Sequence, residues 1–155
     1  MNQEEKIIFK TRLKQFCHSM LEQRIEAAKA AIENAQQSAN NEEKSSAGDK
    51  YETARAMSHL ERDMHTRQLT ENLKELSALH AINAETIYDH VTGGAFLKCA
   101  DISFFIATGL GKQAIDGKTV LFLSPNAPLT KLLAHKKAGD YFFFNEQNFA
   151  IEEIY

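Results

Sequence analysis

The chain has no tryptophan, two prolines and two cysteines in 155 residues, and each scarcity excludes something. Cys17 and Cys99 lie far apart and outside any CxxC pattern, so neither a zinc site nor a disulfide framework is indicated. Positive charge is in short supply as well. Lys+Arg 18 against Asp+Glu 21 gives a formal charge of −3, which argues against a protein built to grip nucleic-acid phosphate. No apolar run approaches the roughly 20 residues that span a bilayer. The opening Met-Asn-Gln-Glu-Glu-Lys lacks the basic-then-apolar layout of a signal peptide. There is no P-loop, no GxGxxG after a strand and no GxSxG elbow. A cytoplasmic protein without an active site of its own is the expectation.

What is present is unevenly distributed. Residues 1–84 contain no proline, one glycine (Gly48), two of the ten phenylalanines and twelve alanines. Residues 85–155 hold the other six glycines, both prolines and eight phenylalanines. Proline and glycine break helices while aromatic residues suit pleated sheet. An all-helical domain over 1–84 and a strand-rich domain over 85–155 are therefore expected.

Within the helical half, Phe9, Leu13, Phe16 and Met20 advance by four, three and four, the spacing of one helix face. The seam continues through Ile25, Ala28, Ile32 and Ala35, where small side chains let a partner helix come close. A second stripe runs Tyr51, Ala54, Met57, Leu60, Met64 and on through Leu69, Leu73, Leu76 and Leu79. Between the stripes, Asn40-Asn41 and Ser45-Ser46-Ala47-Gly48 are the strong turn signals, and Asp49 with Glu52 resembles a capping box. Two amphipathic helices with one short connection predict an antiparallel hairpin.

The second half reads as strands at 94–99, 102–108, 119–124, 141–144 and 149–154, punctuated by Gly109, Gly111, Asp116-Gly117 and Asn145. Pro128 followed by Leu129, Leu132 and Leu133 predicts a short helix with those leucines on its covered side. Alternation of strand faces predicts that every second ring of Phe104-Phe105 and Phe142-Phe143-Phe144 points inward. Phe143 or Phe104 is then left as an exposed patch for docking. The fold class is α+β: a helical hairpin, then a small antiparallel sheet with one short helix.

Cys17 beside His18 suggests thiol chemistry, but neighbours on a helix point about 100° apart, and packing is the simpler role for Cys17. Glu61 with His65 is an i,i+4 surface pair, and His59, Asp63 and His65 lack metal-ligand spacing.

One stretch is more specific. Ala127-Pro128-Leu129-Thr130-Lys131-Leu132-Leu133-Ala134-His135-Lys136-Lys137-Ala138-Gly139-Asp140 resembles the SPxGRALLGKKxGD segment of the Gre transcript-cleavage factor family. Thr130 and His135 stand where that pattern has glycine. Phe149-Ala150-Ile151-Glu152-Glu153-Ile154 is similar to the family's closing YEIVEI, and Gly48-Asp49-Lys50-Tyr51-Glu52-Thr53-Ala54 to its ENAEYHAA. The resemblance implies an FKBP-like second domain that docks on bacterial RNA polymerase, with Asn126, Pro128 and Lys131 in the partner-facing loop. It implies that the hairpin enters the polymerase's secondary channel as a monomer, touching nucleic acid only indirectly. Tip carboxylates, here Glu42, Glu43 and Asp49, would help hold a Mg²⁺ shared with the polymerase while water cuts a backtracked transcript. Two-metal phosphoryl chemistry needs such oxygen ligands, and Mg²⁺ keeps several waters, so one or two carboxylates suffice. The chain holds no intrinsic metal in this reading and assists catalysis in trans. By register the two family acids fall on Lys44 and Ala47, and residues 40–49 carry only −2 (Glu42, Glu43 and Asp49 against Lys44). A channel-binding inhibitor that does not cleave is therefore the alternative. A prolyl-isomerase or chaperone-like module, and a hairpin that merely dimerises, are the other readings.

Overall fold

The computed structural model describes residues 1–43 and 48–155, and side chains outside 42–51. Two long helices, α1 (Gln3–Glu43) and α2 (Gly48–His80), precede a strand-rich region. That region comprises β1 (Phe96–Lys98), β2 (Ile102–Ile106), β3 (Gly111–Ile115), β4 (Lys118–Leu123), α3 (Pro128–Leu133), β5 (Tyr141–Phe144), β6 (Gln147–Ala150) and β7 (Glu153–Ile154). The fold is α+β. Compactness divides the chain elsewhere than composition does. Met1–His18 belongs with Ser77–Tyr155 in one unit, and Ser19–Leu76 forms the other.

In the first unit a five-stranded sheet has the order β3-β4-β2-β1-β7, beside a separate β5-β6 hairpin. Its ladders are antiparallel except one: β2 and β4 run parallel, with Phe104 opposite Leu121, so the sheet is mixed. The reason lies in the β3–β4 turn. Asp116 and Gly117 both have positive φ (51° and 78°), the geometry of a tight hairpin. The turn folds β4 back between β3 and β2, which leaves β3 at the edge. With one large apolar residue, Ile115, β3 looked like turn material in the sequence. The expected strand 149–154 is two pieces, β6 in the hairpin and β7 on the main sheet, separated where Ile151 is buried.

Both faces of this sheet are covered. On one, the first turns of α1 lay Phe9 edge-on to Phe96 (5.1 Å) and Phe16 against Phe122 (5.5 Å). On the other, Leu97, Phe104, Ile106 and Leu121 cluster with Leu133 of α3, Phe142 and Ile151. Double coverage buries Phe104 and Phe105 alike, which corrects the expectation that Phe104 is an exposed ring. The β5–β6 hairpin is covered on one face only, so Phe142 is buried and Phe143 is 62% exposed. In α3, Leu133 is buried and Leu129 packs on the cluster, but Leu132 is exposed. Thr130 takes its inward place, donating its hydroxyl to the Ser124 carbonyl at 2.7 Å.

α1 opens with a reciprocal cap. The Glu5 N–H donates to Asn2 Oδ1 (2.8 Å), and the Asn2 N–H to Glu5 Oε2 (2.9 Å). Its buried positions then run Lys10, Leu13, Cys17, Leu21, Ile25, Ala28, Ala35 and Ala39, one notch around from Phe9–Phe16–Met20.

In the second unit the helices run antiparallel: the Arg62 guanidinium donates to Gln36 Oε1 at 3.0 Å, while Ala27 and Ala28 line a groove with Gln68 and Asn72. The second-helix stripe is corrected. Met57, Leu60, Met64 and Leu73 are exposed, and the face toward α1 carries Ala54, Ser58, Arg62, His65 and Leu69 instead. Alanines on α1 leave little room for large knobs, and the stems of Arg62 and His65 line the seam while their polar ends reach out.

Candidate functional site

The short segment between β4 and α3 brings the three sequence-predicted docking residues together. Ser124 organises it. Its carbonyl accepts the Ala127 N–H (3.0 Å) and the Thr130 hydroxyl, and its own hydroxyl accepts the Asn126 N–H at 3.3 Å. Pro128 occupies the first turn of α3, where its missing N–H costs nothing. Asn126 on this braced loop, and Pro128 and Lys131 on α3, are all exposed.

The chain after α3 is pinned as firmly. His135 has φ +66°, and its N–H reaches the Val91 carbonyl at 3.4 Å. Val91 N–H in turn donates to Lys136 O (2.9 Å), and Lys137 N–H to Asp140 Oδ2 (2.8 Å). The rings of His135 and His90 stack at 6.1 Å, and His90 Nδ1 lies 2.7 Å from Asp89 Oδ1. That hydrogen bond holds the Asp89 carboxyl below its ordinary pKa.

Nearby in sequence, Tyr141 and Phe143 stand on the open face of the β5–β6 hairpin, 69% and 62% exposed. Sequence reasoning flagged Phe143 and passed over Tyr141. Strand parity was the available signal, since residues two apart share a face.

The predicted tip residues are placed in backbone only. Glu42 and Glu43 are the last residues of α1 and Asp49 is the second of α2. Their side chains, like residues 44–47, lie outside the described residues.

Titratable groups elsewhere serve the fold. Burial lifts the Cys17 thiol to about 12 and the Cys99 thiol to about 11, far from thiolate chemistry at neutral pH. Among the described residues no group of three His, Cys, Asp or Glu side chains could hold a metal ion. No described helix is long and apolar enough to cross a membrane. Lys10 is the exception to easy sequence reading. It is fully buried, donates to the Thr86 carbonyl at 2.7 Å and sits 4.8 Å from the Tyr88 ring. Desolvation lowers its pKa to about 8.

Compared with family models, curated proteins and solved structures, the chain matches none.

Proposed function

We propose that this chain is a Gre-like regulator of bacterial RNA polymerase, docking through its strand-rich unit and presenting the connection between α1 and α2 to the polymerase's catalytic metal. The observation that carries the reading is the pairing of two long antiparallel helices, one ending at Glu43 and the next beginning at Gly48, with a braced Pro128–Lys131 segment in the following sheet unit. From Ser19 to Glu43 the first helix advances about 37 Å at 1.5 Å per residue, long enough to carry a carboxylate into a deep channel. Backbone geometry in the motif supports the resemblance. His135 adopts the positive φ that favours glycine, at a position where the family pattern has glycine, and Gly139 does so too (φ +93°).

In this mechanism Glu42, Glu43 and Asp49 supply oxygen ligands beside a Mg²⁺ that the polymerase shares, orienting the water that cuts a backtracked RNA. Asn126, Pro128 and Lys131, with the Phe143 ring, form the docking face. Lys44 and Ala47, at the family's acidic positions, favour as second reading a factor that occupies the channel without promoting cleavage.

RNA cleavage by stalled elongation complexes tests both. Stimulation by the wild type, lost in Glu43→Ala and Asp49→Ala, supports the tip assignment. Stimulation that survives in both variants removes those residues from the mechanism. Binding without stimulation selects the inhibitor, and failure of the chain to bind core polymerase ends the proposal.

A further inference from the structure

We infer that the helical unit, Ser19–Leu76, carries a docking surface for a second copy of itself, two hairpins meeting antiparallel as a four-helix bundle. The surface has a ridge and a groove side by side. Met57, Leu60 and Met64 are 60%, 66% and 45% exposed. At about 100° per residue they share one sector of α2 roughly 60° wide. Just beyond them, α1 and α2 border an open groove of about 660 Å³. Ala27, Ala28 and Ala31 line it from α1, and Met64, Gln68 and Asn72 from α2. Small residues in a groove admit the side chains of another helix, and the ridge supplies unbranched or γ-branched side chains that can enter it.

A twofold contact needs knobs and holes on one face, because each copy must offer both. The ridge is centred near Leu60 and the groove near Gln68, about eight residues or ~12 Å apart along α2. A twofold axis level with Met64 therefore lays each ridge in the other copy's groove. Leu60 of one copy comes level with Gln68 of the other and passes over Ala27 and Ala28. A foreign helix would need the ridge or the groove alone; both together, at a spacing one axis satisfies, select a second copy. Charge agrees with this placement. Arg67 makes no hydrogen bond or ion pair among the described residues, and Asp63 has only a long 3.5 Å contact with Arg62 of its own helix. Helical spacing puts Arg67 and Asp63 on the same flank of Met64, and the axis turns that flank toward itself. Each Arg67 then meets the other copy's Asp63 within one turn. Area agrees as well. From Thr53 to Glu75 the face is ~33 Å long at 1.5 Å per residue, and two helices abreast make it ~20 Å wide, about 650 Å² on each copy. The total of roughly 1,300 Å² exceeds the ~1,000 Å² that a specific interface needs. This surface does not rest on the polymerase reading; the two copies would separate before one entered a channel.

The test uses the full chain without polymerase. Sedimentation velocity should show a dimer at about 100 μM that dissociates on dilution. Leu60→Glu, at an exposed position and with helicity checked by circular dichroism, should raise the dissociation constant at least tenfold. Leu73→Gln, also exposed but set on the opposite side of α2 from Met64, should leave it within twofold. Cross-linking tests the register, since the native thiols of Cys17 and Cys99 are buried. Under mild oxidation Met64→Cys should form a disulfide between copies, and Leu60→Cys should couple to Gln68→Cys in preference to itself. A chain that is monomeric at that concentration, unchanged affinity in Leu60→Glu, dissociation by Leu73→Gln, or Leu60→Cys coupling chiefly to itself would each overturn the surface. Failure to bind core polymerase bears on the other reading alone.

Discussion

Replacing Lys10 with methionine should stabilise this protein at neutral pH. The ammonium is fully buried, and desolvation lowers its pKa from 10.5 to about 8. At about 1.36 kcal/mol per unit, holding the folded chain in its charged form at pH 7 costs roughly 3 kcal/mol against the unfolded chain. Methionine has a similar length and removes that cost, but forfeits the charged donor's bond to the Thr86 carbonyl, worth about 2 kcal/mol. A net gain of about 1 kcal/mol is expected at pH 7. The sign of the pH dependence follows from the same shift. Between about 8 and 10.5 the unfolded lysine keeps its proton while the folded one has lost it, so wild-type stability rises with pH through that window. The advantage of Lys10→Met must shrink over the same interval. Tyr155 bends each curve in the same way, because burial raises its phenol to about 12 and folded stability falls above pH 10. That contribution is common to both chains and cancels in their difference. Urea unfolding followed by tyrosine fluorescence is the suitable assay, since Tyr88, Tyr141 and Tyr155 all belong to this unit. A difference between the two chains that stays constant from pH 7 to 10, or a variant less stable than wild type, would refute the reasoning.

Four further outcomes are expected. Gly94→Ala should cost more than about 2 kcal/mol, because φ is +93° and an added Cβ would lie 2.8 Å from the Asn83 carbonyl oxygen; Gly117→Ala, with positive φ but open space, should cost about 1 kcal/mol in the same denaturation experiment. Leu60→Gln should change stability by less than about 0.5 kcal/mol, whereas Leu79→Ala, at a fully buried position, should lose about 3 kcal/mol. Phe104→Ala should lose about 4 kcal/mol as a core deletion; Phe143→Ser should leave the melting temperature nearly unchanged and weaken capture by immobilised core RNA polymerase. Cys17 should resist alkylation in the native chain at pH 8 and react on unfolding, as mass spectrometry would register.

How far the fold could be read from the residues depended on what each side chain had to pack against. The division into a helical and a strand-rich half was visible because proline, glycine and phenylalanine are partitioned so sharply. Pro128, Leu133 and the Asp116-Gly117 turn were visible for local reasons: a ring that fits a first helical turn, a leucine at helical spacing, and residues that accept positive φ. The failures share a different cause. Phe104 and Leu132 were judged by periodicity alone, yet their burial is decided by neighbours remote in sequence. Phe104 is enclosed by Phe142 and Phe149, more than thirty residues away, and Leu132 faces away from that cluster on a helix too short to be covered on two sides. Of the candidate docking residues, Asn126, Pro128 and Lys131 were legible because one local turn sets them, while the charge state of Lys10 depends on residues 76 and 78 positions later.

The second helix shows why hydrophobicity by itself misassigned a face. Met57, Leu60 and Met64 follow a good helical spacing, and a rule that places the largest apolar residues inward chooses them. The opposite wall decides otherwise. Between residues 27 and 39 the first helix offers Ala28, Ala35 and Ala39 as its buried positions, which bring the helices close and admit only thin stems between them. Arg62 and His65 satisfy that limit, and the Arg62 guanidinium gains Gln36 as an acceptor. The larger residues are thereby turned to solvent, where Met57, Leu60 and Met64 form an apolar stripe. A hairpin selected only to be stable would gain about 1.5–3 kcal/mol for each such side chain by burying it. Keeping the stripe outside and the seam thin gives a slender pair of helices, the requirement a narrow channel would impose. Widening the seam is therefore the decisive perturbation: Ala35→Leu should splay the helices, cost about 1–3 kcal/mol, and abolish any effect on polymerase while leaving the sheet unit folded, as its near-ultraviolet circular dichroism would register.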